Sequence, residues 1–294
     1  KAEMIIANPA GITCNGCGFI NTSRSTLTTG KPLFGSDGSL SGFRVEDGLL
    51  NIEGLGLNAS NTDRVQLYSR ALAMNAELHG RDLDVVTGRF EIDSRSGAIT
   101  SLASDGTMPA AFAVDSSSLG GMYANRIRLV GTEAGVGMRL AAPVAALNGN
   151  LEITSNGDVR LARASAKGDL SASAASKLVL GSPVTAGGNA VVKAADMVLE
   201  DQALLAATAT TMDGGSIRIL PGANIAARGQ LRLLADTLDH AGMMATATAL
   251  QLDVSGKLTN NGSIEAESSL DLDAGTWTNR GTLVLRTGVL DIDV

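Results

Sequence analysis

The sequence predicts an all-β chain, folded as a right-handed parallel β-helix with three-strand coils of about 20 residues per turn. Three observations support this fold class. Short apolar runs with period-two alternation are separated by Gly, Asn or Asp, and 35 of the 294 residues are glycine. The second half repeats at a fixed step. Only 3% of the residues are aromatic, so the core must consist of repeated small aliphatic contacts.

The repeat is clearest after position 230, where two different marks keep the same period. The first mark is an alternating apolar triplet that begins at Leu231, Leu250, Leu270 and Leu290, with spacings of 19, 20 and 20. The second mark is a corner glycine at Gly242, Gly262 and Gly281, with spacings of 20 and 19. Two marks with one period indicate stacked coils, each of about three short strands.

The alternation within each strand predicts which side chains face the core. Leu270 should point inward and stack between its equivalents in the neighbouring coils, whereas Asp271 should face solvent. No segment shows a sustained 3.6-residue period with helix caps. We therefore expect no helix in the repeating unit.

Composition excludes several classes of function. Charged residues make up 18% of the chain and the net charge is −7, with no basic patch interleaved with aromatic residues, so nucleic-acid binding is not expected. No apolar stretch approaches the roughly 18 residues needed to span a bilayer, so we do not expect a transmembrane protein. The sequence contains no motif for a cofactor or a metal ion.

The two cysteines lie in one Cys14-Asn15-Gly16-Cys17 unit, which has three interpretations. The first is a structural disulfide or thiol pair in a tight turn, because a two-residue spacer with glycines around it is a turn length. A thioredoxin-like redox site would need a helix after the motif, but Gly18–Thr22 has strand character. Zinc would need further ligands, and the only histidines, His79 and His240, lack ligand-like spacing.

The segment Ala7–Thr22, which reads Ala-Asn-Pro-Ala-Gly-Ile-Thr-Cys-Asn-Gly-Cys-Gly-Phe-Ile-Asn-Thr, strongly resembles the secretion domain of filamentous haemagglutinin-like exoproteins. These proteins are the substrates of two-partner secretion and include haemagglutinins, contact-dependent growth-inhibition toxins and haemolysins. The resemblance continues through Leu27–Gly30 and Val85–Arg89 and ends with Leu119–Gly137. It implies that residues 1–140 are the distal part of the secretion domain and that residues 141–294 are haemagglutinin-type β-helical repeats.

The resemblance also implies a site. Asn8, Pro9, Ala10 and Gly11 match the secretion motif, although Ala10 stands where the family has a second asparagine, a change expected to weaken a side-chain bond of the turn. Cys14 and Cys17 remain a candidate disulfide. An upstream part of the domain, with its N-terminal cap, is expected beyond Lys1, and without a cover the first coil would expose an edge.

A secreted exoprotein at the bacterial cell surface, exported through the periplasm, is the function that the resemblance implies. Its partner would be an outer-membrane transporter whose periplasmic POTRA-type domains recognise the secretion domain. A receptor on a host or neighbouring cell is a further expected partner. Within this family the chain is expected to be the secretion domain and rigid stalk of a large adhesin or growth-inhibition toxin, with a haemolysin or cytolysin as the alternative.

An enzyme is the alternative from a different class. Some parallel β-helices process polysaccharides with clustered aspartates, so the fold permits catalysis. However, a sugar-binding groove needs aromatic side chains, and Tyr68, Tyr123 and Trp277 are the only aromatic residues with a polar group. We therefore expect no catalytic residues in this chain.

An interruption of the repeat is expected between about Leu78 and Ala113. Alternating polar runs surround the turn-like segment Asp93–Gly97, and the family resemblance suggests a β-hairpin or small sheet outside the helix.

Overall fold

A computed structural model of the protein describes residues 2–294, and these residues form strands and turns without a helix. The predicted all-β fold is confirmed as a parallel β-helix with a separate small antiparallel sheet. Within residues 2–294, no helical segment could cross a bilayer. Two compact units can be distinguished, one made of residues up to Asn148 with Glu152–Asp158, the other of Gly149–Leu151 with Val159–Val294.

The strands are short and follow one another closely along the chain. The first sixteen are β1 (Ala2–Ala7), β2 (Ile12–Gly18), β3 (Thr22–Thr28), β4 (Lys31–Phe34), β5 (Leu40–Val45), β6 (Leu49–Asn58), β7 (Arg64–Ser69), β8 (Ala71–Met74), β9 (Leu78–His79), β10 (Asp82–Thr87), β11 (Phe90–Asp93), β12 (Ile99–Ser101), β13 (Val114–Ser116), β14 (Met122–Ala124), β15 (Arg126–Gly131) and β16 (Met138–Ala146). The others are β17 (Leu151–Ser155), β18 (Val159–Ala166), β19 (Leu170–Ala174), β20 (Lys177–Leu180), β21 (Val184–Ala186), β22 (Ala190–Leu199), β23 (Leu204–Ala207), β24 (Thr210–Ile219), β25 (Asn224–Ala227), β26 (Leu231–His240), β27 (Met243–Thr246), β28 (Ala249–Asn260), β29 (Ser263–Ala266), β30 (Ser269–Asn279), β31 (Thr282–Leu285) and β32 (Val289–Asp293).

In the first unit, equivalent strands of successive coils pair in parallel. One face of the helix is formed by β1, β3, β7, β10 and β15 in that order. A second face begins with β2 and β6, continues through β8 and β13, and reaches β16. Fully buried aliphatic side chains such as Leu67, Val85 and Leu129 stack between these faces, so each coil buries its apolar residues against the next.

Two coils of the first unit carry an insertion. Arg64 pairs with Asp82, 18 positions later in the chain, which is one ordinary coil. By contrast, Arg24 pairs with Arg64, 40 positions later, and Asp82 pairs with Arg126, 44 positions later. The additional residues in these two coils leave the helix as the hairpins β4–β5 and β11–β12.

The two hairpins join through β5 and β11 into one antiparallel sheet of order β12-β11-β5-β4. Its apolar face, with Phe43, Phe90 and Ile92, packs against Tyr68 and Val86 on the outside of the helix. These side chains form a second core outside the coils, between outward-facing residues of β7 and β10 and the inserted sheet.

The sequence therefore predicts correctly that antiparallel strands interrupt the coils, but the predicted start of this interruption is wrong. The turn at Asp93–Gly97 does join two antiparallel strands, but residues 78–87 remain in the helix as β9 and β10. The hairpin β4–β5 was not predicted. Its strand β4, which begins Lys31-Pro32, is largely exposed and lacks the alternation that would distinguish it from a loop.

Two buried arginines hold the irregular segment 102–112 against the β-helix. Arg70 makes a bidentate ion pair with Glu133, at 2.8 and 3.2 Å, and donates to the Thr107 hydroxyl at 2.8 Å. Arg89 donates to the Asp105 carboxylate at 2.6 Å. Hydrogen bonds from Thr107 lower the pKa of Asp105 to about 2, so this carboxylate stays charged opposite Arg89 at neutral pH.

In the second unit the predicted 20-residue period is confirmed by the strand register. Leu231 pairs with Leu250, Leu250 with Leu270, and Leu270 with Leu290. Leu250 and Leu270 are each 1% exposed, whereas Asp271 faces solvent. The inward ladder of leucines is therefore continuous across these coils, as the alternation predicts.

Candidate functional site

Asn8 organises the turn between β1 and β2, where the predicted secretion motif lies. Its backbone N–H donates to Thr28 O of the next coil at 2.9 Å, and its carbonyl accepts from Gly11 N at 3.0 Å. Its side-chain amide donates to Gly11 O at 2.8 Å, and its side-chain oxygen accepts from Ala10 N at 3.2 Å. One side chain therefore closes the turn on itself, while its backbone fastens the turn to the helix.

Gly11 is required by the shape of this turn. Its φ is +120°, a left-handed backbone that side chains disfavour, and a β-carbon at this position would lie 3.0 Å from Leu49 O of the next coil. Pro9 O in turn lies so close to Gly48 that a β-carbon there would come within 2.9 Å of it. The turn is thus seated on the Gly48-Leu49 backbone with no room for larger residues.

Pro9 and Ala10 form the exposed tip of the turn. The two side-chain hydrogen bonds of the turn both come from Asn8, and Ala10 contributes its backbone N–H. The turn therefore closes in this chain without an asparagine at position 10.

Cys14 and Cys17 are joined by a disulfide within strand β2. Cys14 is fully buried and Cys17 is half-buried. The pairing of β2 with β6 shifts register between Asn15 and Cys17, where Gly16 adopts a φ of +73°. The disulfide therefore closes a bulge at a corner of the coil. Strand β2 ends at Gly18, so the strand expected over Gly18–Thr22 is interrupted by a corner at residues 19–21 before β3 begins.

The disulfide corner contacts the corner of the next coil through Asn15. The Asn15 side-chain oxygen accepts a hydrogen bond from Leu55 N at 3.1 Å. Asn15, Thr28 and Leu49 therefore belong to the surroundings of the motif and were not identified from the sequence. Thr28 lies 20 positions after Asn8, the ordinary coil period, whereas the position of Leu49 becomes visible only once the insertion β4–β5 is known.

The turn and the disulfide corner form a surface of defined shape with few chemically reactive side chains. Among residues 2–294, no group of three or more His, Cys, Asp or Glu side chains could hold a metal ion. In the first unit His79 lies 2.9 Å from Glu77, and in the second unit His240 is fully buried and lies 3.0 Å from Ser263 O. The turn is closed by hydrogen bonds and the corner by the disulfide, and the tip of the turn is exposed.

A family model described as the TPS secretion domain matches residues 1–161. The chain is 39% identical over 291 residues to the 16S rRNA endonuclease CdiA of Enterobacter cloacae subsp. cloacae, a match that covers 96% of this chain and 8% of that protein. It is 34% identical over 283 residues to Toxin CdiA of Escherichia coli, covering 96% and 9%. It is 47% identical over 156 residues to tRNA nuclease CdiA-2 of Burkholderia pseudomallei, covering 53% and 5%.

The chain thus spans less than a tenth of the length of these curated relatives. Among solved structures, it is similar to a crystal structure of the filamentous hemagglutinin secretion domain, at 23% sequence identity and a TM-score of 0.46. This match covers 79% of the chain and 66% of the solved one.

Proposed function

Because the chain belongs to the TPS secretion domain family of two-partner secretion exoproteins, we propose that it directs the export of a large growth-inhibition toxin. Residues 1–140 act as the distal part of the secretion domain, and residues 141–294 as haemagglutinin-type repeats that extend a rigid stalk. The in-register coils of the second unit support the stalk role, since each coil presents the same stacking surface to the next.

Membership of this family gives the route of the protein and the class of its partner. The route leads through the periplasm to the cell surface, and the partner is an outer-membrane transporter of the two-partner type. We further propose that periplasmic POTRA-type domains of this transporter recognise the Asn8–Gly11 turn, and that the exported protein contacts a receptor on a neighbouring or host cell.

The names of the relatives favour a toxin over the adhesin and haemolysin alternatives. They are called toxins or nucleases, and the chain matches less than a tenth of each. The nuclease activity in those names belongs to the long proteins as a whole. In our proposal this chain has no catalytic role, and any toxic activity lies elsewhere in the full-length protein.

The single observation that carries the proposed recognition role is the turn built by Asn8 inside the segment matched by the family model. Its tip, Pro9 and Ala10, is exposed, so a partner can reach it. The contact between Pro9 O and Gly48 keeps the tip in one position.

The test is the substitution Asn8→Ala in the full-length protein, followed by immunoblots of the surface and periplasmic fractions. The change removes both side-chain bonds of the turn. We expect a several-fold loss of protein at the surface, with passage into the periplasm unaffected.

The matched control is the double substitution Cys14→Ser and Cys17→Ser, in the strand that directly follows the turn. Closing so short a loop removes little entropy from the unfolded chain, so we expect nearly normal release. If the cysteine variant were retained while Asn8→Ala was released normally, the Asn8–Gly11 turn would not be the recognition element.

A further inference from the structure

A groove of about 410 Å³ crosses one corner of the first unit, away from the Asn8–Gly11 turn. Leu55 and Leu119 form its two rims and are 88% and 71% exposed. Ala76 lines the groove between them, and Pro143, in the coil after that of Leu119, lines it as well. Single exposed leucines are common on protein surfaces, but two on either side of one groove form a local apolar patch.

The backbone holds Leu55 in its exposed position. Gly54 and Gly56 on either side of it have φ values of +59° and +73°. Leu55 N donates to the Asn15 side-chain oxygen at the disulfide corner, and Leu57 N donates to Glu77 O at 3.0 Å. The exposed leucine is therefore part of a fixed corner.

Leu119 is fixed in a similar way on the opposite rim. It lies in a turn in which Gly120 N donates to Ser117 O at 3.0 Å. Ser117 N donates to Met74 O at 2.9 Å, which ties this turn to the coil between the two rims. Both rims are thus anchored by hydrogen bonds to neighbouring coils.

The spacing of the rims matches one extended chain. Ile52 pairs with Met74, and Met74 pairs with Ser116, so the corners that follow these residues belong to three successive coils. The middle corner, at residues 75–77, is short, so the corners that follow Ile52 and Ser116 protrude beyond it on either side. Coils are about 4.8 Å apart, so the outer corners are separated by about 10 Å, the space that a single β-strand fills between two neighbours.

The charge of the groove restricts what it can bind. Glu77 is exposed on the middle corner, and no lysine or arginine lines the groove. His79 lies 2.9 Å from the Glu77 carboxylate and stacks on Tyr123, with ring centroids 5.2 Å apart. An occupant with a cationic side chain beside its apolar side chains would complement this surface.

We propose that this groove binds an extended peptide segment of a partner protein, with leucine-sized side chains between the two rims and a lysine or arginine facing Glu77. The rims contribute the apolar contacts and the middle corner sets the charge preference. Such binding resembles the addition of a strand between two neighbours, in which side-chain pockets provide the specificity.

The proposal is tested by fluorescence anisotropy with the purified chain and a short fluorescein-labelled peptide in which leucine, lysine and leucine stand at every second position, so that all three face the groove when the peptide is extended. We expect saturable binding that weakens at least about tenfold in the double variant Leu55→Asp and Leu119→Asp. The matched control is the double variant Ile20→Asp and Leu147→Asp, which adds the same charge at corners that are 90% and 54% exposed and lie outside the groove. In the control we expect a change of less than about twofold.

A second arm tests the charge. A peptide with glutamate in place of lysine should bind at least about tenfold more weakly, and Glu77→Lys should reverse this preference. Equal losses in both double variants, or no saturable binding, would contradict the proposal. So would self-association of the chain in sedimentation experiments that only the groove variant abolishes, because a second copy would then be the occupant.

Discussion

At the scale of single residues, strand alternation decides which substitutions the fold tolerates. Leu270 is 1% exposed and stacks between Leu250 and Leu290. We expect Leu270→Asp to lower the free energy of unfolding by about 3 kcal/mol or more, because the carboxylate would be buried without a partner. Urea denaturation followed by circular dichroism measures the loss.

The neighbouring position provides the control. Asp271 is exposed on the outer face of the same strand, and Asp271→Ala should change the free energy of unfolding by less than about 0.5 kcal/mol. Similar losses at both positions would show that the inward and outward faces have been assigned wrongly.

His240 makes the stability of the second unit depend on pH. It is fully buried, its Nδ1 has no hydrogen-bond partner, and burial lowers its pKa from the ordinary value of 6.5. The unfolded chain therefore takes up a proton near pH 6.5 that the folded chain does not bind. Stability should be full above this pH and should fall as the pH decreases through it.

The substitution His240→Asn isolates this effect, since Asn260 already occupies the equivalent position in the next coil. We expect the free energy of unfolding of the wild type to decrease more than that of the variant between about pH 8 and pH 5.5. Parallel pH profiles for the two proteins, measured by urea denaturation, would mean that His240 does not contribute.

At the scale of structural elements, the small antiparallel sheet depends on its own core. Phe90 is fully buried and meets Tyr68 edge to face, with ring centroids 6.3 Å apart. We expect Phe90→Ala to cost about 3–5 kcal/mol because it leaves a cavity between the sheet and the helix. Thermal denaturation should show a clear decrease in the midpoint.

The same sheet supplies a matched control for this change. Phe34 lies on the outer strand β4 and is 66% exposed, so Phe34→Ala removes an identical side chain without opening a cavity. We expect its midpoint to stay close to that of the wild type. An equal decrease would mean that the sheet is stabilised in some other way.

The elements that could be predicted from sequence are those that keep the period. In the second unit, Leu231 to Leu290 recur with the step of the coil, and the strand register follows them. In the first unit the insertions after β3 and β10 disrupt the period, so the strand β4 and the limits of the interruption were missed. Leu49, which lies beneath Gly11, was missed for the same reason because the insertion β4–β5 precedes it, whereas Thr28 follows Asn8 by one ordinary coil and carries no sequence mark of this contact.

At the scale of the whole molecule, the absence of helix in residues 2–294 gives a direct spectroscopic check. Ordinary domains contain about a third helix. We expect far-ultraviolet circular dichroism with a β-type minimum and negligible helix, because the turn-delimited repeat leaves no segment with helical periodicity. A helix content above roughly 20% would approach that of ordinary domains and would be incompatible with the parallel β-helix.

The pairing of β5 with β11 also affects the order in which the molecule can fold. Val45 and Phe90 are direct partners, although strands β6 to β10 lie between them in the chain. An ordinary coil joins residues that are close in sequence, as Arg64 and Asp82 are, whereas the sheet needs β5 and β11 together. Because contacts between distant residues form more slowly than local ones, we expect the sheet to close after the coils that lie between β5 and β11.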